Sequence, residues 1–169
     1  MSKVKLSSKQ VETIRNCFGL IMKDRFNQLQ GRLLTTLDAA IENDRQLESL
    51  KSRVRDIQGL MWDDIFREKE QYLSWDFVSG VGAVDDDAIV HKGIEEFIGQ
   101  VEQSILDRFD VFISRLKNLV GMVLVDERKE CLIREIDKVV SRERNLLMRS
   151  FALDLRRRFG IKEEPEVAR

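Results

Sequence analysis

The sequence predicts an all-α protein, either a long antiparallel helical hairpin or a four-helix bundle with coiled-coil character. Three observations carry this reading. Residues 22 to 64 hold a heptad seam, a second helical periodicity runs from Ala88 to Leu155, and the one proline is Pro165. The first 164 residues therefore contain no obligatory helix breaker.

The seam is the strongest signal. Phe26, Leu33, Ala40, Leu47, Val54 and Met61 recur at seven-residue spacing. Met22, Leu29, Thr36, Asn43, Leu50, Ile57 and Asp64 form a second set in the same repeat. Two interleaved apolar heptads hold one side of a long helix against a partner. Thr36, Asn43 and Asp64 are polar within it. Either a buried polar residue fixes register, or the helix ends and Glu42-Asn43-Asp44 is a turn with Asn43 or Asp44 as the next cap. Both readings stay open. Leu34, Leu37 and Ile41 widen the stripe, which suits a helix with two or more neighbours.

In chain order, residues 1–7 read as a flexible polar lead. Ser7 or Ser8 is a good N-cap before Val11, Ile14, Phe18 and Ile21. The pattern then runs to Trp75; unbroken, residues 8–75 would make a rod of roughly 100 Å. Residues 76–87 interrupt it with Gly80 and Gly82, and Asp85 to Asp87 favour a new helix start. Ile94, Ile98, Val101, Ile105, Phe109, Phe112, Leu116, Leu119 and Val123 then follow at bundle-helix spacing. A bend is expected at Gly121 to Asp126. Leu132, Ile136, Val140, Leu147, Phe151 and Leu155 resume the pattern, and Gly160 is a natural C′ stop. The predicted organisation is one domain, 8–160, with halves 8–75 and 88–160 joined by loop 76–87, then a disordered tail, 161–169.

Composition narrows the class. A chain of 169 residues is one domain's worth, and 43% apolar content argues for a core rather than disorder. The charged fraction, 35%, exceeds the usual quarter and points to solvated helix faces laced with ion pairs. A net charge of −1 gives no overall attraction to nucleic acid or anionic membrane. No apolar run reaches membrane-spanning length, and the polar start has no signal-peptide core, so a cytoplasmic protein away from membranes is expected. Cys17 and Cys131 read as reduced core residues on apolar faces. One histidine and two scattered cysteines leave no zinc pattern, and no cofactor is expected.

Few residues suggest chemistry. Gly80-Val81-Gly82 resembles a scrap of phosphate loop, but no strand precedes it and no Gly-Lys-Ser/Thr follows. Asp87, His91 and Glu95 share a helix face, yet no Glu-x-x-His accompanies them; Asp87 as a cap and His91 in a surface i,i+4 contact is the preferred reading. Asp63 and Asp64, with Glu68, read as a solvated face. No nucleophile–base pair is evident, so no enzyme activity is expected.

The expected function is a non-enzymatic helical interaction or scaffold protein that self-associates, its partner another protein and most simply a second copy. The interface seam is Phe26, Leu29, Leu33, Leu47, Leu50, Val54, Ile57 and Met61; its preferred partner is the antiparallel second half of the chain, with any dimer formed by bundle faces. A partner patch is expected at Trp62, Phe66, Tyr72, Trp75 and Phe77, although core packing explains these aromatics too. The alternative is a nucleic-acid-binding regulator. From Arg128 to Arg158 there are ten Lys and Arg against five Asp and Glu. Lys138, Arg142, Arg149 and Arg156 share a face, extended by Arg157 and Arg158, and such a stripe can track phosphates. Balancing acidic neighbours is the preferred explanation of the stripe.

Overall fold

The computed structural model describes residues 3–80 and 86–162. Four long helices dominate: α1 (Ser8–Ala40), α2 (Asp44–Asp76), α3 (Asp87–Val123) and α4 (Glu127–Arg158). The helix breaks at Asn43, so the four-helix bundle, not the unbroken rod, is the structure. Asn43 Oδ1 accepts from the Gln46 N–H at 3.0 Å and caps α2. Ser7 begins α1 with a reciprocal capping box: its hydroxyl accepts from the Gln10 N–H, and its own N–H donates to Gln10 Oε1 at 2.8 Å. The caps of α3 and α4 are Asp86 and Asp126.

The two tight turns share one design. Each opens on a buried aliphatic C-cap, Ile41 or Leu124, and closes on a polar N-cap. Connections this short force antiparallel neighbours. The helices form a ring in which α1 packs most closely on α4 and α2 on α3; α3 meets α4 closely, and α1 meets α2 more sparsely. At the far end of α4 the Gly160 N–H donates to Arg157 O and the Ile161 N–H to Arg156 O, with Gly160 at φ +67°. This Schellman closure needs the left-handed backbone that glycine adopts freely. Ile161 packs against the core, so the expected disordered tail does not begin there; residues 163–169, and with them Pro165, lie outside the described residues.

The lead departs from expectation. Val4–Leu6 is a strand, β1, paired in parallel with Phe77–Ser79, β2, in the register Val4 to Phe77, Lys5 to Val78 and Leu6 to Ser79. The Gly80 N–H extends the ladder to Leu6 O at 3.1 Å. Leu6 is fully buried, so this part of the lead is structure rather than flexible chain. The strand pair lies on α3 at Gly93, where a Cβ would come within 2.8 Å of Val4 Cγ2 and 3.1 Å of a Phe77 ring carbon. The α2–α3 connection therefore contains β2. Gly82 and Asp85 of the expected loop lie outside the described residues.

The core is one apolar column threaded by aromatic rings. Phe66 of α2 meets Phe18 of α1, Phe18 meets Phe151 of α4, Phe151 meets Phe97 of α3, and Phe97 meets Phe77 of β2, all edge to face. Such contacts add about 0.5–1.5 kcal/mol each beyond burial, so the chain of rings couples all four helices and the strand pair.

Candidate functional site

The seam residues turn inward. Phe26, Leu29 and Leu33 on α1, and Leu47, Leu50, Val54 and Met61 on α2, are buried in the bundle, and Ile57 is half-buried against it. The surface they would offer a partner is taken by the chain's own helices. The aromatic patch is divided rather than gathered. Trp62 and Phe66 stack at 4.7 Å and pack on Phe26 and Phe18 of α1. Phe77 is buried on Phe97. Tyr72 touches Trp75 edge to face, and Trp75 is exposed.

The basic stripe is divided too. Arg156 makes a two-pronged pair with Glu95 of α3 at 2.7 and 2.8 Å, and Arg158 binds Asp154 at 2.9 Å. Hydrogen bonding to Arg156 holds the Glu95 carboxyl below its usual range against some desolvation. Lys138 lies 3.4 Å from Glu135 one turn away. Arg142, Arg149 and Arg157 are exposed, with no ion pair among the described residues.

Several titratable groups are engaged in structural contacts. His91 does not make the expected surface contact along its own helix; Nε2 lies 3.1 Å from Phe159 O at the end of α4. Asp86, not Asp87, is the cap. No group of three metal-ligating side chains occurs among the described residues. Glu68 is held by Ser104 and Arg108, and Arg108 reaches Asp64 at 3.6 Å. These carboxylates of α2 thus tie it to α3 rather than forming a free acidic face. Cys17 is buried as expected, and burial, with its hydrogen bond to Asp154 at 2.9 Å, pushes its thiol up to about 12. Cys131 is exposed, against the expectation of a core residue; buried Leu132 beside it takes the core position.

Four polar residues at core positions escaped the apolar pattern: Gln58, Lys69, Ser104 and Glu143. Lys69 Nζ donates to Glu70 at 2.6 Å and stands 5.0 and 5.2 Å from the ring centroids of Phe66 and Phe18, so the rings help hold its charge. Glu143 is 1% exposed; Arg32 Nε lies 3.0 Å from its Oε1 without hydrogen-bond alignment. The pair locks α1 to α4 through charge alone, which makes removal of either partner costly.

Among the described residues, two open grooves flank α1. One, of about 740 Å³, runs between the end of α1 and the start of α4; Ala39, Ala40 and Leu132 line it together with three carboxylates, Glu42, Glu127 and Glu135, and one cation, Arg128. The other, of about 190 Å³, lies between α1 and α2 where their packing is sparse. No helix among the described residues is long and apolar enough to cross a membrane. Compared with protein-family models, curated proteins and solved structures, the chain matches none.

Proposed function

We propose that this is a non-enzymatic helical interaction protein that self-associates through α4 and the groove beside it. The carrying observation is the division of charge along one exposed stripe of α4. Glu127, Cys131 and Glu135 border the 740 Å³ groove, and Lys138, Arg142 and Arg149 continue the same stripe at helical spacing, all of them exposed. A second copy laid antiparallel sets the basic part of each stripe over Glu127 and Glu135 of the other. A two-fold axis repeats the contact, the usual logic of a homodimer. The engagement of His91, Glu68, Lys69 and Cys17 in structural contacts supports the non-enzymatic part of the reading.

The test is a charge swap followed by light scattering. Glu127→Lys with Glu135→Lys should dissociate the dimer, and adding Arg142→Glu with Arg149→Glu should restore it. A wild type that stays monomeric at high concentration, or a dimer indifferent to the first pair, would refute the proposal.

The unpaired Arg142, Arg149 and Arg157 favour one second reading, binding to nucleic-acid phosphates. It predicts duplex binding that weakens with salt by a log–log slope of about −0.9 per phosphate contacted. Arg142→Glu with Arg149→Glu should then abolish binding with helicity intact, while Glu127→Lys with Glu135→Lys strengthens it.

A further inference from the structure

We propose that the smaller groove, between α1 and α2, binds a small aromatic acid: one planar ring carrying a carboxylate and a hydrogen-bond donor. Four separate features converge there. Trp62, half-buried and edge to face on buried Phe26 with centroids 5.0 Å apart, gives the groove an aromatic wall. Lys23 and Arg55 flank it, both exposed and neither with an ion pair among the described residues. Gln58, only 7% exposed, spends its amide N–H on Phe26 O at 3.0 Å, and its Oε1 is buried with no hydrogen-bond partner. At Gly59 a Cβ would meet no atom within 4 Å, so the groove stays open on that side.

Each feature selects a part of the ligand. The rings select a flat apolar body by edge and face contact. The two unpaired cations select an anion, and a planar carboxylate fits the guanidinium of Arg55 in particular. A buried acceptor without a donor is unfavourable to leave; Gln58 lines the groove, and a ligand O–H or N–H that reaches its Oε1 would relieve it. The volume, about 190 Å³, is below the roughly 300–1,000 Å³ of pockets for drug-sized molecules. It admits a single substituted ring and excludes a nucleotide.

The experiment uses the whole chain with Trp75→Phe, which leaves Trp62 as the sole tryptophan. Titration with 4-hydroxybenzoate should change Trp62 fluorescence saturably, with a Kd of about 0.1–1 mM for so small a ligand. Gly59→Leu should fill the groove and remove the response while the circular dichroism stays helical. Lys23→Gln with Arg55→Gln, both on the surface, should weaken binding about tenfold or more and remove its salt dependence. The uncharged 4-hydroxybenzyl alcohol should bind more weakly by a similar factor. The absence of saturation up to about 10 mM, far above that Kd, would overturn the site. So would undiminished affinity in the Lys23/Arg55 variant or in a folded Gly59→Leu chain.

Discussion

Gly93 is where the strand pair meets the bundle, and replacing it by alanine isolates that contact. The new methyl would lie 2.8 Å from Val4 Cγ2 and 3.1 Å from the Phe77 ring, neither of them the free end of a flexible chain. Overpacking of this kind costs about 1–3 kcal/mol. Undocking the strands would relieve the clash but re-expose Leu6 and Phe77, at about 1.5–3 kcal/mol each. The strands should therefore stay docked and shift. Against this, alanine in place of a helix-interior glycine contributes about 1 kcal/mol of stability. The net is a loss of up to about 2 kcal/mol. Gly99 in the same helix is the control, since a Cβ there meets nothing within 4 Å. Gly99→Ala should gain about 1 kcal/mol. The two variants should thus differ by about 1–3 kcal/mol, and each 1 kcal/mol is worth roughly 2–4 °C in a chain of this size. Thermal melts followed by circular dichroism read the difference. Hydrogen exchange at the Gly80 N–H, which donates to Leu6 O, should also be faster in Gly93→Ala. If Gly93→Ala melts as high as Gly99→Ala, the strand pair does not rest on α3 as described.

Three further predictions rest on burial. Leu33→Asp or Ile105→Asp removes a side chain at most 1% exposed and leaves a carboxyl there without a partner. Each should cost about 4 kcal/mol or more, a large share of a typical domain's stability; a soluble variant with an unchanged melt would show the core faces to be misassigned. The thiols should react unequally: at pH 8 a disulfide reagent should modify Cys131 and spare Cys17 until denaturant is added, and equal native rates would contradict the geometry. The folded Cys17 thiol is raised to about 12, above its unfolded value, so its contribution is complete below about pH 9 and lost as pH climbs to about 12. Cys17→Ala should flatten that part of the alkaline stability profile.

Helix positions were legible in the residues because their signals are local. Ser7 was one of two candidate caps and Gly160 sits where the left-handed closure needs it, whereas the residues around Asn43 left a break and a buried polar position equally open until the cap to Gln46 decided it. The strand pair was not legible. Three residues show no periodicity of their own, and the partner of Val4 is Phe77, distant in sequence. Gln58, Lys69 and Glu143 occupy positions that helical spacing assigns to the core, but their polarity hides them from an apolar pattern. What makes them tolerable is supplied by other elements: Phe26 O for Gln58, the Phe18 and Phe66 rings for Lys69, Arg32 for Glu143. Both grooves likewise depend on how far apart neighbouring helices stand, which no spacing within one helix encodes.

The seam shows why an apolar pattern alone does not identify an interface. Heptad spacing says that one helix face needs a partner, and the same burial is gained whether that partner is another chain or the next helix. The turn at residues 41–43 decides it here. Once Asn43 caps α2, the seam folds back, and Leu33 and Leu50 enter one shared core. What is left for another molecule is then what the bundle could not pair within itself. On α4 that remainder is charge: Arg142 and Arg149 exposed beyond Glu127 and Glu135. Exposed ion pairs contribute only about 0–1 kcal/mol each, so association through this face must draw on the apolar groove lining as well. Ala39 and Ala40 would supply the apolar contact and the charges its orientation. Salt should therefore weaken the proposed dimer without abolishing it, whereas a complex held by phosphate contacts alone should fall apart.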